Sequence, residues 1–127
     1  HPASHKSIDD RQHFIKMRGN ELFKIAVNAM AEAACKAVEQ AGLKAEDIDL
    51  VIPHQANTRI INAVARKLGL TEDKIFLNIE KYGNTSSAST IIALTEAVAT
   101  GRVKKGDIIL LDAFGAGLTW GACVVKW

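Results

Sequence analysis

His54 follows the run Ile48-Asp49-Leu50-Val51-Ile52-Pro53, and Asn84 comes soon after the run at residues 75–79. A third position, the glycine-flanked turn at Ala116, follows residues 107–114. All three runs are rich in aliphatic and β-branched residues and read as strands. In an open α/β sheet, ligand groups gather at the carboxyl ends of strands, so chemistry is to be sought at these three places. An imidazole there donates or accepts near neutral pH, and a carboxamide does both. Each feature also has a plain structural reading. His54 can satisfy nearby backbone, Gly83-Asn84 can be a turn, and Gly115-Ala116-Gly117 can be a tight hairpin. Taken singly, none decides a function.

The elements that must position these residues alternate along the chain. Residues 1–12 are polar and mixed and read as a loop or tail, distinct from the folded unit at 13–127. His13-Phe14-Ile15-Lys16-Met17 reads as a short strand ended near Gly19. Asn20 stands where a helix N-cap would be, with Glu21 suiting the helix dipole. That helix is predicted to reach about Ala41 and stop at Gly42. Its many alanines imply close packing against other backbone on more than one side. A short helical connection at residues 43–47 leads to the strand that Pro53 ends. A second helix starts at Asn57 or Thr58 and closes at Gly69. Thr71-Glu72-Asp73 is a turn, residues 75–79 a strand, and residues 86–99 a third helix. Two final strands, 107–114 and 120–126, complete the chain. Strands alternating with helices of ten or more residues predict an α/β layered domain.

Composition bounds the function classes. With 127 residues, 48% hydrophobic and 24% charged, the chain is long enough to bury about two-thirds of its unfolded surface as one domain. Its 16 Lys and Arg against 14 Asp and Glu leave a net charge of +2, too small to argue for nucleic acid. No apolar run is long enough to span a bilayer, and no basic-then-apolar leader opens the chain, so no membrane is expected. Cys35 and Cys123 form no CxxC pair and read as small buried residues in a reducing compartment. His1 and His5 are four apart but lack a third ligand, so no metal is expected. The chain begins His1-Pro2, not Met, and reads as a processed product or a piece of a longer protein.

Together, three motifs match a pattern. His54-Gln55-Ala56-Asn57, then Gly83-Asn84-Thr85-Ser86-Ser87-Ala88-Ser89, then Phe114-Gly115-Ala116-Gly117-Leu118-Thr119-Trp120-Gly121 stand in order. This resembles the C-terminal half of β-ketoacyl-acyl-carrier-protein synthase III, a condensing enzyme of the thiolase superfamily, from about Met17 to Trp127. The resemblance implies a thiolase-like layered fold, here one α/β half with a mixed sheet flanked by helices.

It also implies roles. His54 and Asn84 are similar to the catalytic pair that donates hydrogen bonds to the malonyl thioester carbonyl as it decarboxylates. Two neutral donors in a dry pocket suit the enolate that forms, and losing one such donor costs ~3 kcal/mol. A neutral imidazole is the useful form, so burial is expected to depress the His54 pKa. The Ala116 N–H resembles half of an oxyanion hole for the acyl-enzyme carbonyl. The family often has a third glycine there, and a left-handed alanine would cost ~1–2 kcal/mol. Phe114 is similar to a residue lining the acyl-primer pocket, and Asn57 and Asn20 match positions near the pantetheine arm of coenzyme A. The basic residues Arg59, Arg66 and Lys67, with Lys24, read alone as a solvated face. By resemblance they dock acyl carrier protein, together with the segment Gln55, Ala56, Asn57 and Thr58.

The family's nucleophile is a cysteine at a helix N-terminus, and neither cysteine here fits that role. The expected partners are therefore acyl carrier protein, acyl-CoA and an N-terminal half carrying that cysteine, within a cytoplasmic homodimer. No cofactor is implied, since acyl-CoA and malonyl-acyl carrier protein are substrates. A half-chain should also expose a large apolar patch. Two other readings stay open: a related condensing enzyme of secondary metabolism, and an inactive half-domain that only binds the carrier protein or coenzyme A.

Overall fold

The structure is a computed structural model that describes residues 3–127. Three strands form one mixed sheet in the order β1 (Leu50–Pro53), β2 (Ile108–Gly115), β3 (Thr119–Lys126). β1 runs parallel to β2, with Leu50 opposite Ile109 and Pro53 opposite Asp112. β2 and β3 are an antiparallel hairpin from Ile108–Lys126 to Gly115–Thr119. The parallel pair requires a crossover, which the intervening helices supply.

The helices are α1 (His5–Asp9), α2 (Gly19–Gln40), α3 (Thr58–Lys67), α4 (Ile79–Tyr82) and α5 (Ala88–Ala99). Side chains of a strand alternate between faces, so one strand feeds two cores. Val51 and Leu110 point to α2 and α3, packing with Ala34, Val38 and Ile61. Leu50, Ile52 and Ile109 point to the other face, against Ala93 and Ala97 of α5. The alanines of α2 do what their size implies: Ala26 and Ala34 are fully buried where the helix crosses β2, β3 and α3. The expected α/β half, a mixed sheet flanked by helices, is the observed architecture.

Several local expectations fail. Residues 13–17 pair with no strand; Phe14, Ile15 and Met17 lie exposed on turn and irregular backbone. The run at 75–79 is not a strand either. Ile75 makes a single parallel bridge to Val51, and α4 then begins at Ile79. Buried Asn78 explains the departure. Its N–H donates to Gln55 Oε1 at 3.0 Å and its side chain to Glu96 at 2.8 Å, drawing the chain off the sheet. Within the polar N-terminal stretch, Ser4 caps α1 through a reciprocal capping box, although no residue of that helix is buried. His1 lies outside the described residues.

Both cysteines are exposed, not buried. Cys35 is one step, about 100°, round α2 from buried Ala34. Cys123 sits on the face of β3 opposite Ala122 and Val124, on the side where α5 packs against β1 and β2. Asn20 is not the N-cap: α2 starts at Gly19 behind Arg18, which makes no side-chain cap. No helix among the described residues is long and apolar enough to cross a membrane.

Candidate active site

β1 ends at Pro53 and delivers His54 to the carboxyl edge of the sheet. The His54 N–H donates to the Asp112 carbonyl at 2.7 Å, which extends the parallel ladder by one bond. The ring Nδ1 lies 2.6 Å from Ser89 Oγ in the first turn of α5, leaving Nε2 as the ring nitrogen open to the cleft. The imidazole is half-buried, and that desolvation holds its pKa below the ordinary 6.5. It is therefore neutral at pH 7, as expected from the sequence.

Gln55 does not face a partner. It is 1% exposed and ties the end of β1 to the segment at residues 76–78. Its Nε2 donates to the carbonyls of Pro53 and Phe76, and its Oε1 accepts from Asn78 N–H. The sequence-based placement of Gln55 among carrier-protein contacts is thereby corrected: an amide whose groups are all satisfied inside has nothing to offer outside. Gln55→Ala strands three buried backbone groups, and a loss of about 2–4 kcal/mol in urea unfolding is expected. Unchanged stability would show the brace to be dispensable.

Asn84 is exposed and reaches the cleft from the loop after α4. Its Oδ1 accepts from Ser86 N–H at 2.9 Å, so its amide nitrogen is the free end. Ser86 is held at φ 55°, a left-handed conformation costing about 1–2 kcal/mol that the bond to Asn84 offsets. The loop is pinned from behind, where Lys81 and Asn78 both grip Glu96 of α5.

Ala116 escapes the anticipated strain. The positive φ of the turn falls on Gly117, at 146°, where a Cβ would lie 2.9 Å from Thr119 Cγ2. The Ala116 carbonyl accepts from Thr119 Oγ1, and its N–H has no partner among the described residues. Phe114 is partly buried against Met30, Ala31 and Val64 and stacks on Trp120 at 6.5 Å.

His54, Asn84, Ala116, Phe114 and Asn57 line one open cleft of about 1300 Å³. Asn57 caps α3 by accepting from Arg59 N–H, with Ala56 before it and exposed Thr58 opening the helix. Asn20 is not among the lining residues, although its neighbours Gly19 and Glu21 are. Ile15, Met17, Ile25, Leu118 and Trp120 border the cleft and are exposed. This is the apolar patch expected of a half-chain.

The basic residues lie on the flanking helices. Lys67 donates to Asn28 of α2 at 2.6 Å, and the Arg59 guanidinium lies 5.9 Å from the Phe23 ring centre. Lys24, Arg59, Arg66 and Lys67 are all exposed, and none makes a salt bridge among the described residues.

Three residues of consequence carry no role of their own in the sequence. Ser89 ends the second motif, Trp120 stands in the third, and Asp112 lies within the strand run 107–114. No local signal distinguishes them, since each acquires its surroundings from segments distant along the chain.

The family described as 3-oxoacyl-[acyl-carrier-protein (ACP)] synthase III C terminal matches residues 38–127. The chain is 56% identical over 126 residues to the beta-ketoacyl-[acyl-carrier-protein] synthase III of Caldanaerobacter subterraneus subsp. tengcongensis, spanning 99% of this chain and 38% of that protein. The crystal structure of the 3-oxoacyl-[acyl-carrier-protein] synthase III of Aquifex aeolicus VF5 superposes with a TM-score of 0.88 at 56% identity, over 90% of this chain and 37% of that one. The priming beta-ketosynthase from the R1128 polyketide biosynthetic pathway superposes with a TM-score of 0.78 at 39% identity, over 87% and 34%. The chain thus spans somewhat over a third of the relatives it matches. With both the sequence match and the layered thiolase-like fold in agreement, this chain belongs to the β-ketoacyl-acyl-carrier-protein synthase III family, matching its C-terminal part.

Proposed function

We propose that this chain supplies the C-terminal catalytic part of a synthase that condenses an acyl-CoA primer with malonyl-acyl carrier protein and so initiates fatty-acid synthesis. The observation carrying the reading is that two neutral donors, His54 and Asn84, face one cleft with their other polar ends already held by protein. In the first half-reaction the primer acyl group passes from coenzyme A to a cysteine supplied from outside this chain. In the second, the bond from the malonyl α-carbon to its carboxylate breaks and carbon dioxide leaves. The electron pair moves onto the thioester oxygen as an enolate, which His54 Nε2–H and Asn84 Nδ2–H stabilise. The enolate carbon then attacks the acyl-enzyme carbonyl, whose oxyanion the Ala116 N–H receives, and the cysteine thiolate departs. Phe114 borders the primer's acyl chain, and Asn57 lies along the pantetheine arm. No cofactor is needed, because both thioesters are substrates.

The synthase so assembled is read as a cytoplasmic homodimer. Acyl carrier protein, an acidic partner, meets Lys24, Arg59, Arg66 and Lys67, whose free charges suit it. Arg59→Glu is expected to raise KM for malonyl-acyl carrier protein about tenfold while leaving malonyl-CoA turnover unchanged. Equal effects on the two donors would return Arg59 to a solvated surface role. A second reading, a condensing enzyme of secondary metabolism, draws on the likeness to the R1128 priming ketosynthase. Comparing acyl-CoA primers of different length and branching separates the two. An inactive binding half-domain is less well supported, because binding alone has no use for a preset pair of enolate donors.

A further inference from the structure

We propose that Ser89 is a positioning residue for His54, selecting the tautomer that places the proton on Nε2; the proposal deepens the reading of His54 as an enolate donor and rests on it. The inference comes from counting hydrogens. Ser89 is 2% exposed, so its hydroxyl must find partners inside the protein. Its oxygen accepts from Gln55 N–H at 3.1 Å and lies 2.6 Å from His54 Nδ1. No other group among the described residues bonds to it. If Nδ1 carried the imidazole proton, it would donate to Ser89 Oγ. The serine oxygen would then accept twice, and its own hydrogen would be buried without an acceptor. If Nδ1 is bare, the serine hydrogen is donated to it and every polar atom is satisfied. The remaining proton of the neutral ring then sits on Nε2.

The consequence is directional. Only the Nε2–H tautomer offers the cleft a donor; the other would present a lone pair to a developing oxyanion. Ser89 also couples the two catalytic segments. Its own N–H donates to the Ser86 carbonyl at 3.0 Å, and Ser86 N–H in turn holds Asn84 Oδ1. One helical turn thus orients both donors, acting on His54 through its side chain and on Asn84 through backbone.

Two measurements test this. Long-range proton–nitrogen correlation spectra of the assembled synthase, isotopically labelled at histidine, at neutral pH should show His54 Nδ1 as an unprotonated, hydrogen-bonded nitrogen and Nε2 as protonated. A proton on Nδ1 overturns the proposal outright. In the assembled synthase, Ser89→Ala should slow malonyl decarboxylation about 10- to 100-fold, by analogy with the loss of a partner that orients a metal-bound histidine. Transfer of the primer to the cysteine should be unchanged, and Ser89→Thr, which keeps the hydroxyl, should recover most of the rate. Equal losses in both half-reactions mean a merely structural serine and overturn the proposal, as does a wild-type decarboxylation rate in Ser89→Ala. If Ser89→Ala does not fold, the tautomer of the unsubstituted chain decides. His54→Ala serves as the control: full decarboxylation there sinks the enolate-donor reading, whereas a Ser89 failure with His54 still essential sinks only this inference.

Discussion

Replacing His54 or Asn84 with alanine in the assembled synthase should slow malonyl decarboxylation by about a hundred- to a thousandfold each. Primer transfer to the cysteine should survive, because it develops no charge at these donors. The size of the effect follows from preorganisation. Asn84 Oδ1 is tied to Ser86 N–H and His54 Nδ1 to Ser89, so neither donor must reorganise as the enolate forms. Assaying carbon dioxide release from malonyl-acyl carrier protein separately from primer loading distinguishes the steps, and equal loss of both would sink the assignment. The pH dependence follows as well. Burial holds the His54 pKa below 6.5, so the neutral donor persists as pH falls past that value. Stability linked to His54 is fully present above pH 6.5 and declines as pH drops through the lower folded pKa, because the unfolded chain takes up the proton first.

Asp112 should dominate the pH dependence of stability in the opposite sense. Its side chain shares a face of β2 with Leu110 and Phe114 and is 1% exposed between the strand and the apolar sides of α2 and α3. Neither carboxyl oxygen has a partner of good hydrogen-bond geometry among the described residues. Burial pushes its pKa up to about 8, against which the Ala113 backbone N–H acts only weakly. The folded chain therefore keeps a proton that the unfolded chain, with an aspartate of pKa about 3.9, has already lost. Stability attached to this group is greatest below pH 4 and declines between pH 4 and pH 8, by about 5 kcal/mol at most. That is comparable with the whole stability of many small domains. Asp112→Asn, which cannot ionise, should match the unsubstituted chain at pH 3, where the unfolded aspartate also keeps its proton, and be several kcal/mol more stable at pH 8. Urea midpoints that move in parallel with pH in both proteins would mean that Asp112 is ionised and paired.

Much of this was legible in residue order. Helix limits fall within one or two residues wherever a cap or a glycine marks them, as at Asn57 before α3 and Gly42 after α2. The hairpin strands are legible because the first apolar run lies between Gly106 and Gly115 and the second follows the turn Gly115-Ala116-Gly117. Reading failed where pairing decides structure. Residues 13–17 and 75–79 carry strand-like residues, but a strand exists only with a neighbour to bond. The first run finds none, and buried Asn78 diverts the second.

The site divides along the same line. His54, Asn84 and Ala116 could be picked out because strand ends and glycine turns are local features, and their joint order is distinctive. That Gln55 faces inward, that Ala116 is relieved by Gly117, and that Ser89 and Asp112 matter required the fold. The physical reason is range. Caps, turns and hydrophobic periodicity act over a few residues and are written in the chain itself. Burial, the tautomer of an imidazole and the charge on a carboxyl depend on partners that lie 34 and 35 positions away, as Ser89 does from Gln55 and His54. Only tertiary packing brings those partners within bonding distance.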